Sequence, residues 1–210
     1  MTRRLPGEEI ANTWTHVLGV VGTFVVAWPL MRIAAKHGTL SIVGMSLFLA
    51  GMLFMYLCST LYHLATPGSQ TKRVLRVYDH ISIYVMIAGS YSPLCLGVLG
   101  GWQGWSLFAF LWTCVIAGIV GKIIALGKFP KLSLTLYLVM GWAALLVIRP
   151  LWKSLPHPAF FSIFAEGIFY SIGAFFFAKD EQYAYFHAIW HVFILLGSLS
   201  HTLALWIAFA

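Results

Sequence analysis

His187 and His191 stand four residues apart at the start of the last apolar stretch of the chain, and the same offset separates Ser59 from His63 at the end of an earlier one. On a helix, positions i and i+4 share a face with about 6 Å between them, a spacing that lets two imidazoles reach one ion. Three neutral imidazoles, His63, His187 and His191, can hold Zn²⁺ at about 2.0–2.1 Å and leave a fourth position for water, the ligand pattern of catalytic zinc. Asp79, next to His80 at the head of another apolar stretch, is then placed to hydrogen-bond that water or to act as general base. Ser59 is placed to orient Asp79 or the water. A lone HxxxH pair says little; the convergence of Ser, Asp and His from separate segments carries the reading.

Those segments are apolar helices. Of the 210 residues, 60% are hydrophobic and 9% charged, and a soluble domain of this length cannot hide so much apolar surface. A helix crosses the hydrocarbon core with about 20 residues, and the sequence divides into seven such spans: 16–35, 40–64, 78–98, 103–125, 132–149, 159–178 and 183–209. The expected fold is all-α, a single seven-helix membrane bundle over 16–210 preceded by a short segment, 1–15. Pro67-Gly68, Gly100-Gly101, Pro130 and the Pro150, Pro156, Pro158 group mark the breaks. Lys72, Arg73 and Arg76 read as a basic loop. Gly19, Gly22, Gly44, Gly51, Gly118 and Gly121 lie within spans, where small residues let helices approach closely in lipid.

Orientation follows from Lys and Arg. One side holds Arg3, Arg4, Lys72, Arg73, Arg76, Lys122, Lys128, Lys131 and Lys179; the other holds Arg32, Lys36, Arg149 and Lys153. Nine and four account for all thirteen. The positive-inside rule puts the N-terminus in the cytoplasm and, after seven spans, the C-terminus outside. Ser59 and His63, Asp79, His187 and His191, and Asn12 and His16 then fall at similar depth near the cytoplasmic face, where ionisable groups in a span mark function by default.

The remaining polar groups are read more plainly. His37 and His157 belong to outer loops, His80 to packing, and His201 lies about 15 Å along the helix from His191, too far to join the ligands. His16 is either a hydrogen-bonding residue at a helix start or a group supporting the ligands, and Asn12 and Glu9 are candidates for the same support. Arg73 or Arg76 are alternative partners for Asp79. Glu166, nearer the middle of the sixth span, either serves a proton path or hydrogen-bonds a neighbouring hydroxyl such as Tyr170. The net charge of +7 is explained by membrane topology rather than by nucleic acid, because no basic run exceeds Lys72-Arg73. Cys58, Cys95 and Cys114 fall inside apolar stretches and read as packed thiols. Arg3 and Arg4 are followed by Pro6, Gly7, Glu8 and Glu9 before any apolar run, so the first apolar stretch reads as a retained helix rather than a cleaved signal.

Taken together, Glu9-x-x-Asn12-x-x-x-His16, Ser59-x-x-x-His63, Asp79, His187-x-x-x-His191 and the Gly-rich stretch Glu166-Gly-Ile-Phe-Tyr170-Ser-Ile-Gly173 resemble the signature of the haemolysin III family. That family is the bacterial branch of the progestin and adipoQ receptor proteins, which are related to alkaline ceramidases. The resemblance spans essentially the whole chain. It implies seven helices in a bacterial inner (plasma) membrane, a zinc ion in the cytoplasmic half held by the three histidines, and Asp79 and Ser59 near its water. By analogy with the family's relatives it implies hydrolysis of a lipid amide of ceramide type, with membrane lipids as partners and the substrate in a cavity among the helices. Two other readings use the same residues: a non-enzymatic sensor of lipid state with a structural zinc, and an ion or proton carrier built on Glu166, Asp79 and the histidines.

Overall fold

In the computed structural model, which describes residues 6–125 and 128–210, the described chain is helical with no strand. The helices are α1 (Pro6–Ala35), α2 (Thr39–Leu64), α3 (Gln70–Pro93), α4 (Gly101–Ala125), α5 (Pro130–Gly141), α6 (Ile148–Ser154), α7 (His157–Ala178) and α8 (Phe186–Phe209). A π-helical stretch, Leu94–Leu99, extends α3, and a 3₁₀ turn, Ala143–Val147, joins α5 to α6. Seven helical spans are long and apolar enough to cross a membrane, with α5, the turn and α6 forming the fifth. Exposed side chains such as Trp28, Ile124 and Leu146 face outward, as a protein solvated by lipid requires. The chain is an integral multi-pass membrane protein.

Neighbours in sequence pack as neighbours in space. α1 lies on α2, α2 on α3 and α7 on α8, while α8 returns to α1 and closes the ring. The third span is central: 78% of its apolar window is buried, against 50% or less in every other span. α2 and α3 cross closely because both present glycine. A methyl group on Gly44 would stand 2.8 Å from Pro93 Cα and Ser92 O, and one on Gly89 would stand 2.9 Å from Leu47 O. In lipid such backbone-to-backbone packing replaces the hydrophobic drive.

Three boundaries differ from those read in the sequence, each for a physical reason. α1 begins at Pro6 rather than 16, because Glu8, Asn12, Thr13 and His16 are buried against the bundle and the first turns belong to its packed face. α3 begins at Gln70, so Lys72, Arg73 and Arg76 lie on its opening turns rather than in a loop. Ser69 caps this helix, its side chain accepting from Lys72 N at 3.0 Å. The fifth span is broken, and Tyr91 of α3 stabilises the break: its hydroxyl donates to Gly141 O and accepts from Ala144 N at 3.0 Å. Two backbone groups released at the break thus find a partner, as buried groups must. Arg3 and Arg4, which entered the charge count, lie outside the described residues.

Candidate metal centre

The end of the bundle where α2 stops and α3 and α8 start gathers the residues singled out in the sequence. His63 is in the last turn of α2, and His187 and His191 open α8; all three are buried. Their ring centroids lie 5.2 Å (His63–His187), 5.2 Å (His63–His191) and 4.6 Å (His187–His191) apart. One ligand nitrogen from each lies within 4.8 Å of the others. Among the described residues this is the group of side chains close enough to share an ion.

Each imidazole is held from behind at Nδ1 by a different partner. His63 Nδ1 donates to Glu9 Oε2 at 2.6 Å, and His187 Nδ1 donates to Asp180 Oδ2 at 2.6 Å. His191 Nδ1 lies 3.1 Å from Thr15 Oγ1. The Thr15 hydroxyl already directs its hydrogen toward the carbonyls of Ala11 and Asn12, so His191 Nδ1 is the donor. With Nδ1 protonated in all three rings, Nε2 carries the lone pair. This fixes the tautomer and ring orientation a metal requires, and outer carboxylates raise ligand basicity. The Nε2 of His63 is buried and has no hydrogen-bond partner among the described residues, which fits a metal-ligand atom. The donor set and its geometry fit a divalent ion of the zinc type.

Behind the histidines the network continues. Glu9 Oε1 accepts from Lys72 Nζ at 3.0 Å, and this ammonium also reaches Ala65 O and lies over the Tyr62 ring. Glu8 Oε1 accepts from Tyr185 N at 2.8 Å. Tyr185, the residue before α8, has φ 63°, a left-handed conformation uncommon in non-glycine residues. The Glu8 contact holds this turn and with it the entry of the chain into the His187 helix.

Asp79 and Ser59 are not members of that group of three. They line a cavity bounded mainly by apolar side chains of α2, α3, α5, α7 and α8, among them Met55, Ile83, Tyr137 and Trp190. The cavity is partly open to the surroundings. The three histidines are not on its wall; His16 is. The His16 ring lies 3.8 Å from that of His191, so it stands between the imidazole cluster and the cavity.

The sequence brought Glu9 forward as support for the ligands, and it is the direct partner of His63. Asp180 and Thr15 were not singled out. Asp180 reads as part of a polar turn, and its reach to His187 depends on the loop path, which leaves no periodic signal. Thr15 has the ordinary character of a helix threonine. Three of the other histidines have separate partners. His201, outside the cluster as expected, donates from Nδ1 to Glu166 Oε2 at 2.7 Å. Glu166 therefore pairs with His201 rather than with Tyr170, whose hydroxyl meets Ser198 at 3.3 Å. His157 is the first residue of α7 and stacks on Trp152, and His37 Nε2 meets Phe209 O at 2.9 Å.

Comparison with known proteins agrees with the resemblance carried by these motifs. The family profile described as "Haemolysin-III related" matches residues 6–202. "Hemolysin-3" of Bacillus cereus is 40% identical over 192 residues, covering 91% of this chain and 87% of the relative. "Hemolysin-3 homolog" of Bacillus subtilis (strain 168) is 42% identical over 192 residues, with 91% and 89% covered. "Monocyte to macrophage differentiation factor" of Homo sapiens is 28% identical over 210 residues, with 95% and 83% covered.

Proposed function

The chain belongs to the haemolysin-III related family, and from that premise we propose that it is a zinc-dependent hydrolase of lipid amides, acting in the cytoplasmic half of a bacterial inner membrane. One observation carries the reading. Three imidazoles with their tautomers set by Glu9, Asp180 and Thr15 adjoin an apolar cavity whose polar wall includes Asp79 and Ser59. His63, His187 and His191 would hold a zinc ion there, and the ion would supply Lewis acidity toward a carbonyl and an acidified water.

The chain's own groups do the rest. The cavity takes the acyl chain and excludes bulk water. Asp79 accepts the proton as water oxygen attacks the amide carbon, then returns it to the nitrogen as the C–N bond breaks, releasing a fatty acid and an amine. Ser59, 2% exposed on the same wall, orients the carboxylate of Asp79. Glu9 and Asp180 keep the imidazoles facing inward.

Elemental analysis of purified protein tests the metal: about one zinc per chain is expected, lost in His187→Ala. Turnover of an N-acyl sphingosine by wild type, abolished in Asp79→Asn with zinc retained, tests the chemistry. Folded protein with intact histidines and no zinc sinks the reading.

A second reading has its own support, since the imidazoles do not themselves line the cavity. His63 of α2 and His187 and His191 of α8 would hold a metal between the two helices, with Glu9 and Thr15 of α1 behind them, an arrangement that suits a lipid-state sensor with a structural zinc. No turnover of any lipid class by zinc-loaded protein favours it.

A further inference from the structure

The polar side chains on the buried side of α1 are, with two exceptions, already engaged. Glu8 meets Tyr185, Glu9 meets His63 and Lys72, and Thr15 meets His191. Thr13 and Thr23 bond to carbonyls one turn earlier, those of Glu9 and Gly19. The exceptions are Asn12 and His16. Asn12 is 0% exposed and His16 3%. Neither Oδ1 nor Nδ2 of Asn12, and neither ring nitrogen of His16, has a hydrogen-bond partner among the described residues. Burying such groups unpaired is unfavourable, and cost of this kind collects where a ligand is received.

The two residues are i and i+4 on one helix face. His16 lines the cavity, its ring lies 3.8 Å from that of His191 and 5.3 Å from that of Tyr56, and it does not belong to the group that could share the ion. It is therefore positioned beside the metal centre, facing whatever enters from the cavity.

We propose that the Asn12–His16 face of α1 is a specificity subsite that grips the hydrogen-bonding head of an amide-linked lipid next to the metal. This rests on the hydrolase reading for the identity of the ligand, although the subsite requires binding only. The chemistry selects the class. A carboxamide and a neutral imidazole each offer both a donor and an acceptor. Their complement is a group that itself donates and accepts, such as a secondary amide with a neighbouring hydroxyl. An ester of equal length offers acceptors alone and leaves the donor-seeking atoms idle. Sites built to hydrogen-bond an N–H or O–H reject analogues lacking it far more strongly than apolar pockets reject a change of size.

The test reads binding in zinc-loaded, detergent-solubilised protein, with a fluorescent N-acyl sphingosine as one probe and a chain-matched 1,2-diacyl-3-O-methylglycerol, which has no N–H or O–H, as the other. Wild type is expected to prefer the N-acyl probe. Asn12→Leu and His16→Phe should each weaken binding of that probe about tenfold or more, leave the ester probe unaffected, and keep zinc stoichiometry. Because the atoms removed have no hydrogen-bond partner among the described residues, the melting temperature should hold or rise, which a purely structural role would not allow. His16→Gln, which keeps a donor and an acceptor, should restore part of the preference.

Loss of zinc, a lower melting temperature with both probes weakened alike, unchanged N-acyl binding, or no preference in wild type would each overturn the proposal. If neither apolar variant folds, the face is structural and the proposal is again overturned. Selective binding without hydrolysis would retain the subsite and remove the hydrolase reading.

Discussion

Glu9 and His63 lie far apart in the chain, yet Glu9 Oε2 stands 2.6 Å from His63 Nδ1, while the other oxygen of the same carboxylate takes Lys72 Nζ at 3.0 Å. One side chain at the start of α1 therefore joins the end of α2 to the start of α3. It sets both the tautomer of a ligand and the approach of three helices. The Lys72 contact is itself buried, with the lysine side chain 6% exposed, so this charge is held in place rather than left to move in solvent.

Replacing Glu9 by Gln keeps the size and an acceptor oxygen but removes the charge shared by His63 and Lys72. Zinc affinity is expected to fall about 10- to 100-fold, the usual effect of losing a partner behind a ligand. Competition against a chromophoric chelator measures it, and unchanged affinity would show that the Glu9 contact does not tune the ligand.

Asp180→Asn acts on His187 in the same manner and should lower affinity by about the same 10- to 100-fold. Asp79→Asn should leave zinc binding intact, because Asp79 lies on the cavity wall and outside the group that could share the ion. Zinc titration of the two variants side by side checks the contrast; equal losses would merge the two carboxylates into one role.

Tyr91→Phe deletes the hydroxyl that serves Gly141 O and Ala144 N at the break in the fifth span. Leaving buried backbone groups unsatisfied costs about 1–3 kcal/mol, so the melting temperature should fall while zinc content stays the same. A melting temperature equal to that of wild type would mean that the break holds without the tyrosine.

At Gly44, alanine would bring a methyl group to 2.8 Å from backbone atoms of Ser92 and Pro93. Backbone cannot rotate aside as a side chain can, so α2 and α3 must separate, at a cost of about 1–3 kcal/mol typical of overpacking. Gly121→Ala, where a methyl would meet nothing within 4 Å, is the control. Equal melting temperatures for the two variants would refute the close crossing.

Glu166 and His201 form a second buried pair at 2.7 Å. Glu166→Leu alone leaves the buried His201 donor without its partner and should destabilise by about 1–3 kcal/mol, whereas the double variant with His201→Leu should recover most of that loss. Denaturation of the three proteins decides it; a double variant no better than the single would indicate a further role for one member.

The cluster of three histidines was readable in the sequence because helical spacing and membrane depth are both one-dimensional quantities. His187 and His191 share a face by their offset alone, and His63 reaches them because α2 descends to the end from which α8 rises. The seven spans were readable for the same reason. The groups behind the ligands were harder to read. Asp180 approaches His187 through a turn closed by a left-handed Tyr185, and a three-dimensional path of that kind leaves no period in the sequence. The break at Trp142 follows only a single glycine, because the group that stabilises it, Tyr91, lies on another helix. Glu166 invited a partner on its own helix face, Tyr170, but packing of α7 on α8 offered His201 instead. The early start of α1 was not legible because 1–15 reads as a short segment ahead of the first span, whereas in the fold Glu8 meets Tyr185 and Glu9 meets His63 and Lys72.

The contact between Glu8 and Tyr185 has a practical corollary. With Glu9 and Thr15 close behind it, the opening stretch of the protein works as a bolt across the mouth of the imidazole cluster, engaging the last helix as well as the second. Trimming residues 6–15 would withdraw two of the three groups that orient the histidines and free the turn ahead of His187; the first span would keep about 20 residues, enough to cross, while the histidine cluster lost its support. Affinity handles and reporter fusions are therefore safer beyond Ala210 than immediately before Pro6.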